Sequence, residues 1–277
     1  MQYIQVTFNL GELPEYQKDL LIEELADIGY NTFEDTEHGF SAFGELSVYS
    51  ESNLSDIIAN YDGKLNYTVK EIKGENWNEA WEKNFEPLII SDQCYVRATF
   101  HQPQPQYKYE IVIDPKMAFG TGHHQTTTMM MQYILGADLK GKKVLDMGCG
   151  TGILAILAAK KEAGELVAID YDDVCYLSTL ENADLNGIHN ITALCGSKEV
   201  IPQIIFDVIL ANINRNILLD QINTYSTVLA NGGSIYFSGF YEHPDLEMIT
   251  DECKKHGLSY IEHSKIGEWV AAHFKKD

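Results

Sequence analysis

The sequence predicts an α/β protein with two units in tandem, a small α+β unit followed by a larger unit with an open, doubly wound sheet. Three observations predict this arrangement. A short apolar strand over 144–146 leads into three glycines at alternate positions within 148–152 and then into an apolar helical pattern. A second apolar strand follows and ends at Asp170. Residues 1–74 carry strand and helix patterns of their own, and 277 residues are enough for two domains.

The glycine turn predicts a ligand at the carboxyl end of its strand. Gly148, Gly150 and Gly152 lack Cβ and accept positive φ, so the backbone can turn sharply and approach a bound molecule. A dinucleotide fingerprint places its third glycine one residue later, where Ile153 stands here. Asp170 follows at the distance at which a carboxylate accepts both ribose hydroxyls. A ligand with a ribose and no pyrophosphate, such as S-adenosylmethionine, fits both conditions. The alternative is a plain βαβ unit with a glycine turn.

Composition and charge limit the classes of function. No run approaches the ~20 apolar residues of a membrane span, and the first thirty residues lack the layout of a signal peptide, so we expect a cytoplasmic protein with no membrane association. The five cysteines include no Cys-x-x-Cys pair, which indicates reduced thiols and no zinc site. The formal charge of −21 disfavours direct binding of nucleic acid and favours a basic partner. The alternative is acidity that serves solubility alone.

Residues 1–74 predict a ferredoxin-like domain. The strands are expected at 3–8, 31–35, 40–43 and 65–72, and the helices at about 14–28 and from 52 or 53 to 61. Gly29 ends the first helix, and Ser52 or Asn53 is the expected cap of the second. The order βαββαβ is that of a split βαβ sandwich. Because nothing in this region looks catalytic, we interpret it as a substrate-recognition domain, the alternative being a purely structural one.

Residues 75–87 predict a helical linker. Trp77, Trp81 and Phe85 are spaced by four, which places the three rings on one face of a helix. Such a stripe is usually core, so we expect it to hold the linker against one domain or both. The alternative is an aromatic wall of the substrate site.

The domain 88–277 begins with strands expected at 88–90, 94–100 and 109–114, followed by a loop over 115–127. This loop contains two glycines, two histidines and paired threonines, and it leads into a helix over 129–135. A helix N-terminus rich in donors could hold a carboxylate, such as the methionine end of the cofactor, and Phe119 could add an apolar contact. His123 and His124 lack the i, i+4 spacing of a metal site, so no metal is expected.

The rest of the chain alternates helices and strands. Helices are expected at 174–186, 217–229 and 246–256, strands at 191–195, 206–212 and 234–238, a turn at 232–233, and a closing antiparallel pair at 258–263 and 269–274. Asn212 falls at the carboxyl end of its strand and is expected to face the cofactor crevice; the alternative is a cap on the helix near Ile217. Seven strands with intervening helices and a final hairpin are typical of a Rossmann-like methyltransferase domain.

Four runs carry a resemblance to a known family. They are Trp-Asn-Glu-Ala-Trp at 77–81, Met-Ala-Phe-Gly-Thr-Gly-His-His-Gln-Thr-Thr at 117–127, Asp-Met-Gly-Cys-Gly-Thr-Gly-Ile-Leu at 146–154 and Ala-Asn-Ile at 211–213. Together they resemble the bacterial ribosomal protein L11 methyltransferase family. A whole superfamily shares the glycine turn, whereas the Phe-Gly-Thr-Gly-His-His loop is far more specific. The match spans the linker and the larger domain.

The resemblance implies S-adenosylmethionine-dependent trimethylation of lysine side chains and of the α-amine of one ribosomal protein. It places Thr127, Gly148, Asp170 and Asn212 at the cofactor and assigns the N-terminal domain to gripping the substrate. Methyltransferases that act on bases or glutamine often follow the strand-end Asn with Pro-Pro-Tyr, whereas 213–215 is Ile-Asn-Arg here. This departure argues against a planar base or amide as substrate.

These inferences define the expected site. Asn212 is the expected catalytic residue, because its amide could orient the incoming amine. We expect the cofactor to be bound by Phe119, Gly120, Thr121, Gly122, His124, Thr126, Thr127, Asp146, Gly148, Gly150, Gly152, Asp170 and Asn212. The expected partner is ribosomal protein L11, a basic protein, with a monomer favoured. Alternatives are methylation of another basic protein or a small amine, or a non-catalytic S-adenosylmethionine-binding factor of ribosome assembly.

Overall fold

The structure is a computed structural model that describes residues 3–11, 15–36, 38–61, 65–72, 86–114, 120 and 122–277. The chain divides into two compact units, Met1–Asn84 and Phe85–Asp277. The boundary falls within the segment 75–87 that the sequence assigns to a linker. The aromatic stripe of Trp77, Trp81 and Phe85 lies outside the described residues.

The first unit contains one antiparallel sheet and two helices. Its elements are β1 (Tyr3–Asn9), α1 (Glu15–Asp27), β2 (Thr32–Thr36), β3 (Gly39–Glu45), α2 (Glu51–Ala59) and β4 (Asn66–Ile72). The strands lie in the order β2-β3-β1-β4, and every neighbouring pair is antiparallel. The predicted order of strands and helices is therefore confirmed.

The core of the first unit follows from the alternation of β1. Ile4, Val6 and Phe8 are buried in one apolar cluster with Leu21 of α1 and Leu54 of α2. Complete burial of such side chains stabilises the fold by about 1.5–3 kcal/mol each. The alternate residues of β1 lie on the opposite face of the sheet, as the twofold repeat of a strand requires.

The predicted cap of α2 at Ser52 or Asn53 is wrong. Ser50 is the cap: its backbone is extended, with φ −136° and ψ 117°, and its hydroxyl accepts the N–H of Asn53 at 3.3 Å. Glu51 already lies in the first turn of the helix, where an acid interacts favourably with the helix dipole.

The second unit begins with a small sheet. Its strands are β5 (Leu88–Ile90), β6 (Cys94–Ala98) and β7 (Tyr109–Ile113), and helix α3 (Gln125–Gly136) follows. Strand β6 is antiparallel to β5 and parallel to β7. The three strands were predicted, with β6 and β7 each slightly shorter than expected.

A large mixed sheet forms the centre of the second unit. Its strands are β8 (Val144–Met147), β9 (Leu166–Asp170), β10 (Ile191–Cys195), β11 (Phe206–Asn212), β12 (Leu229–Tyr241), β13 (Leu258–Ile266) and β14 (Trp269–Lys276). The helices are α4 (Ile153–Lys160), α5 (Asp173–Leu185), α6 (Arg215–Val228) and α7 (Glu247–Lys255). The strand order is β10-β9-β8-β11-β12-β14-β13, with β8 to β12 parallel and β14 antiparallel to both neighbours.

This order fixes where a ligand can bind. From β8 the chain winds outward through β9 to β10, and it then returns to place β11 on the other side of β8. The boundary between β8 and β11 is therefore the topological switch point, where open α/β sheets bind ligands at the carboxyl ends of their strands.

Apolar cores cover both faces of the large sheet. Val144 belongs to the core that includes Met129 of α3 and Ile153 of α4, whereas Leu145 belongs to the core that includes Leu218 of α6. Strands buried on both faces are nearly continuously apolar, which explains the composition of β8, β9 and β11. No helix of the described residues is both long and apolar enough to cross a membrane.

The predicted turn at 232–233 is wrong. The structure assigns these residues to β12, whose register with β11 shifts so that Leu229 lies opposite Phe206 and Ser234 opposite Val208. Gly232 has φ 72°, a left-handed conformation that glycine adopts readily, and it lies at the irregularity within this strand.

Candidate active site

A cavity of about 680 Å³ opens at the carboxyl ends of β8 to β11. Four of the residues that line it were predicted from the sequence, namely Gly148, Gly150, Asp170 and Asn212. A second cavity, of about 690 Å³, lies at the C-terminal ends of α4 and α5 between Lys160 and Asn186. It contains none of the predicted site residues, and the first cavity alone lies at the switch point of the sheet.

The glycine turn brings the backbone close to its neighbours. Gly148 has φ 72°, and a Cβ there would lie 2.2 Å from Cγ2 of Ile213. Gly152 has φ 78°, and its Cβ would lie 2.9 Å from Cγ2 of Thr179 on α5. Because both positions combine left-handed backbone with close contacts, only glycine fits them without displacement.

Asp170 joins the glycine turn to the end of β9. Its side chain is buried, with 7% of the residue exposed, and it lines the cavity. Oδ2 accepts the N–H of Gly150 at 2.9 Å, and Oδ1 accepts the N–H of Asp172 at 3.1 Å. Each carboxylate oxygen has a further acceptor site. The residue can therefore hold the turn and still accept hydroxyls of a ligand.

Asn212 lies across the switch point from Asp170. Its Nδ2 donates to Oγ1 of Thr127 at 3.3 Å, and Thr127 is itself buried on α3. The bond fixes the amide and leaves Oδ1 without a partner among the described residues. The alternative role of Asn212, a helix cap, is wrong, because the cap of α6 is Asn214, whose side chain accepts the N–H of Ile217 at 3.2 Å.

The loop before α3 contacts the glycine turn but not the cavity. Gly120 accepts a hydrogen bond from Oγ1 of Thr151 at 2.5 Å. His124 caps α3, with Nδ1 at 2.7 Å from Oγ1 of Thr126, and His123 Nε2 lies 2.8 Å from the carbonyl oxygen of Glu86. Among the loop residues that the structure describes, none lines the cavity. The expected cofactor residues Phe119 and Thr121 lie outside the described residues.

Comparisons with known proteins decide the family. The family model described as "Ribosomal protein L11 methyltransferase (PrmA)" matches residues 26–277. The chain belongs to the ribosomal protein L11 methyltransferase family. A ribosomal protein L11 methyltransferase of Phocaeicola vulgatus is 42% identical over 99% of both chains. One of Porphyromonas gingivalis is 44% identical over 100% of this chain and 99% of its own.

A solved structure agrees with this assignment. The crystal structure of ribosomal protein L11 methylase from Lactobacillus delbrueckii subsp. bulgaricus is 32% identical, and the match covers 70% of this chain and 100% of that chain, with a TM-score of 0.64. The resemblance drawn from the sequence motifs is confirmed, and the large mixed sheet is that of a Rossmann-like methyltransferase.

Within this family member, Asp146 lies behind the glycine turn and does not line the cavity. It is 1% exposed, and its Oδ2 accepts the N–H of Ala155 at 3.1 Å, which ties β8 to the first turn of α4. Oδ1 is buried without a hydrogen-bond partner among the described residues. Burial raises the pKa of the Asp146 carboxyl to about 7.

Sequence reasoning missed part of the cavity wall. Tyr171, which directly follows Asp170 and is 78% exposed, lines the cavity, as do Ser197 and Gln221. Ser197 follows the end of β10, so the rule that ligands bind at the carboxyl ends of strands could have found it. Gln221 lies within α6, and no local pattern marks it.

Proposed function

We propose that this protein uses S-adenosylmethionine to methylate amino groups of ribosomal protein L11, namely lysine side chains and the N-terminal α-amine, up to the trimethyl state. Membership of the family supports the activity. One observation supports the assignment of this activity to particular residues: Asp170 and Asn212 line one cavity, on either side of the Gly148 turn.

The residues present fit an S-adenosylmethionine molecule. The cavity, at about 680 Å³, is within the range of small-molecule sites. Asp170 offers carboxylate acceptors for the ribose hydroxyls. Gly148 lets the turn pass close to Ile213 at the edge of the cavity, where a Cβ would lie 2.2 Å from Cγ2 of Ile213. When bound, the cofactor supplies an activated methyl group on its sulfonium.

The chain then has to bind and align a neutral amine. Removing the proton of a lysine with a pKa of about 10.4 costs about 4–5 kcal/mol at pH 7, and desolvation of the amine in the site offsets part of this cost. Oδ1 of Asn212 can accept an N–H of the amine and direct the nitrogen lone pair toward the methyl. Thr127 holds the amide in place at 3.3 Å. Catalysis is therefore mainly alignment and exclusion of water, and solvent takes the proton.

We assign substrate recognition to the N-terminal unit, which we propose to be a ferredoxin-like domain over residues 1–74, followed by a linker over 75–87. Its element and strand order support the fold. Its charge supports the role, since residues 1–84 contain 17 acidic and 5 basic side chains. Such a surface attracts a basic protein. We further propose a cytoplasmic monomer that does not bind nucleic acid directly.

The test is the intact mass of purified L11 after incubation with the full-length protein and S-adenosylmethionine. We expect the mass to rise in whole methyl steps, and to stay unchanged without cofactor. With the Asn212→Ala variant it should rise about a hundredfold more slowly. Cofactor binding with no mass change would indicate a non-catalytic assembly factor. Modification of another basic protein or of a small amine, with L11 unchanged, would move the activity to a different substrate.

A further inference from the structure

A chain of three polar side chains reaches the cavity from the interior of the protein. Tyr225 and Gln221 lie one turn apart on α6 and are 0% and 2% exposed. The Tyr225 hydroxyl donates to Oε1 of Gln221, and Nε2 of Gln221 donates to Oγ of Ser197 at 2.9 Å. Ser197 and Gln221 both line the cavity, Ser197 where the chain leaves β10. Ser197 is three strands away from Asn212, a distance of about 14 Å across the sheet.

The hydrogen bonds that link these three side chains all run in the same direction, from Tyr225 to Ser197. Burial raises the pKa of Tyr225 well above its ordinary value, so the phenol keeps its proton and donates it. The amide oxygen of Gln221 therefore faces Tyr225, and its NH₂ faces Ser197. Since Oγ of Ser197 accepts this hydrogen bond, its own hydrogen points elsewhere.

The hydroxyl hydrogen of Ser197 has no acceptor among the described residues. The side chain does not cap the short 3₁₀ turn Lys198–Val200 that follows it. The backbone N–H of Ser197 is already used, donating to Oε1 of Glu199 at 2.7 Å. The protein thus presents one hydroxyl donor at the β10 end of the cavity.

The order of groups along the ligand determines which of them lies next to the Ser197 hydroxyl. Asp170, at the end of β9, is the acceptor for the ribose. The glycine turn and Asn212, at the ends of β8 and β11, lie on the side of the reacting methyl. The base on the other side of the ribose therefore extends toward the end of β10, where Ser197 lies. A purine ring offers nitrogen acceptors there.

We propose that Ser197 donates a hydrogen bond to a ring nitrogen of the cofactor's purine, and that Gln221 is the positioning residue that gives the hydroxyl this polarity, held in turn by Tyr225. This inference rests on the proposed function, because it takes the ligand to contain adenosine. Glutamate at position 221 would reverse the polarity: its carboxylate would accept the Ser197 hydrogen, and the hydroxyl would then present lone pairs to the ring nitrogens.

The experiment compares the affinities of S-adenosylhomocysteine and of its three deaza analogues, in which one ring nitrogen, N1, N3 or N7, is replaced by C–H. The full-length protein is titrated by calorimetry. We expect one analogue to bind about 3- to 10-fold more weakly than the parent, the scale of one hydrogen bond. Ser197→Ala should bind the parent more weakly, and it should bind that analogue and the parent equally. Gln221→Glu should also bind the parent more weakly, and it should bind that analogue at least as tightly as the parent, because its Ser197 hydroxyl would present lone pairs to the ring nitrogen. Tyr225→Phe should lose part of the discrimination.

Gln203→Glu is the matched control, because it adds the same charge at an exposed position outside the cavity. It should keep the full discrimination. Equal binding of all three analogues to the unmodified protein would overturn the inference, and so would unchanged discrimination in Ser197→Ala and Gln221→Glu. Should Gln221→Glu fail to fold, Ser197→Ala and Tyr225→Phe decide alone. If the unmodified protein binds no S-adenosylhomocysteine at all, the proposed function fails as well, which separates the two failures.

Discussion

Asp170 is bonded to backbone on one side and open to the cavity on the other. It accepts the N–H groups of Gly150 and Asp172, so its loss affects both the turn and the ligand. We expect Asp170→Ala to weaken S-adenosylhomocysteine binding by about 1.5–3 kcal/mol, the scale for a hydrogen bond to a charged group. Calorimetry measures the change. Asp173→Ala removes an exposed acid three residues further along the chain that does not line the cavity, and it should bind normally. Equal affinity of both variants would remove Asp170 from the ribose.

Asn212 and Asn214 are the same residue type, lie two positions apart and have different roles. Each is therefore a control for substitution of the other. Asn212→Ala should lower the single-turnover methylation rate by about a hundredfold or more, because small losses of alignment have effects of that size. Its melting temperature should barely change. Asn214→Ala should instead lose about 1 kcal/mol of stability, since it removes the cap of α6. A normal rate with a lowered melting temperature in Asn212→Ala would contradict the catalytic role.

Asp146 gives the stability of the protein a specific pH dependence. Burial raises its pKa from 3.8 to about 7, so the folded state binds the proton more tightly than the unfolded state does. The resulting stabilisation is complete below about pH 4 and is lost as the pH rises to about 7, by up to about 4 kcal/mol. Asp146→Asn should flatten this decline in urea unfolding between pH 5 and 8. The exposed acid Asp251, changed to Asn, should leave the slope as it is; parallel curves for all three proteins would contradict the argument.

At this scale the sequence predicts residues that end strands. Gly148, Asp170 and Asn212 each follow an apolar run, and the rule that strand ends meet at one edge brings them together. Gln221 could not be found this way, because its role comes from its hydrogen bond to Ser197, which lies just beyond the end of β10. The direction of the Asp146 side chain could not be predicted either. The motif does not show that this side chain points toward α4 rather than into the cavity.

At the scale of elements, the turn between β8 and α4 depends on its contact with Ile213. Gly148→Ala should lose about 1–2 kcal/mol from left-handed backbone strain, and more because its Cβ would lie 2.2 Å from Cγ2 of Ile213. Ile213→Ala should remove the second cost, so the double variant should be more stable than additivity predicts. Chemical unfolding of the set measures this coupling.

Gly187→Ala is the control for strain alone, because Gly187 has φ 65° and a Cβ at this position would have nothing within 4 Å. It should lose less stability than Gly148→Ala. Strict additivity of Gly148→Ala and Ile213→Ala would show that the contact with Ile213 carries no cost.

Elements were predictable where one signal dominated. Apolar strands and helices of the large unit occur where periodicity places them. Competing signals gave errors: Ser50, Ser52 and Asn53 can all cap a helix, and only the extended backbone at Ser50 decides between them. Two successive glycines such as Gly232 and Gly233 are compatible with a turn and also with an irregularity in a strand. Only the pairing of β12 with β11 distinguishes the two possibilities.

At the scale of the whole molecule, the charge is unevenly divided along the chain. Residues 1–84 hold 17 of the 41 acidic side chains and 5 of the 20 basic ones. Long-range attraction of a basic protein therefore concentrates on the N-terminal unit, while every predicted cofactor contact lies in the second unit. Electrostatics of this kind raise the rate of encounter more than they fix the affinity.

A chain that begins near Asn76 separates these two contributions. It retains all predicted cofactor residues, so its affinity for S-adenosylhomocysteine should equal that of the full-length protein. It should lose methylation of L11, because it lacks the surface that we propose grips the substrate. Calorimetry gives the first quantity and intact mass the second, with Asp170→Ala in the shortened chain as the control for specific binding. Equal methylation of L11 by the shortened and full-length proteins would make the N-terminal unit structural only, and would place substrate recognition on the surface around Asn212.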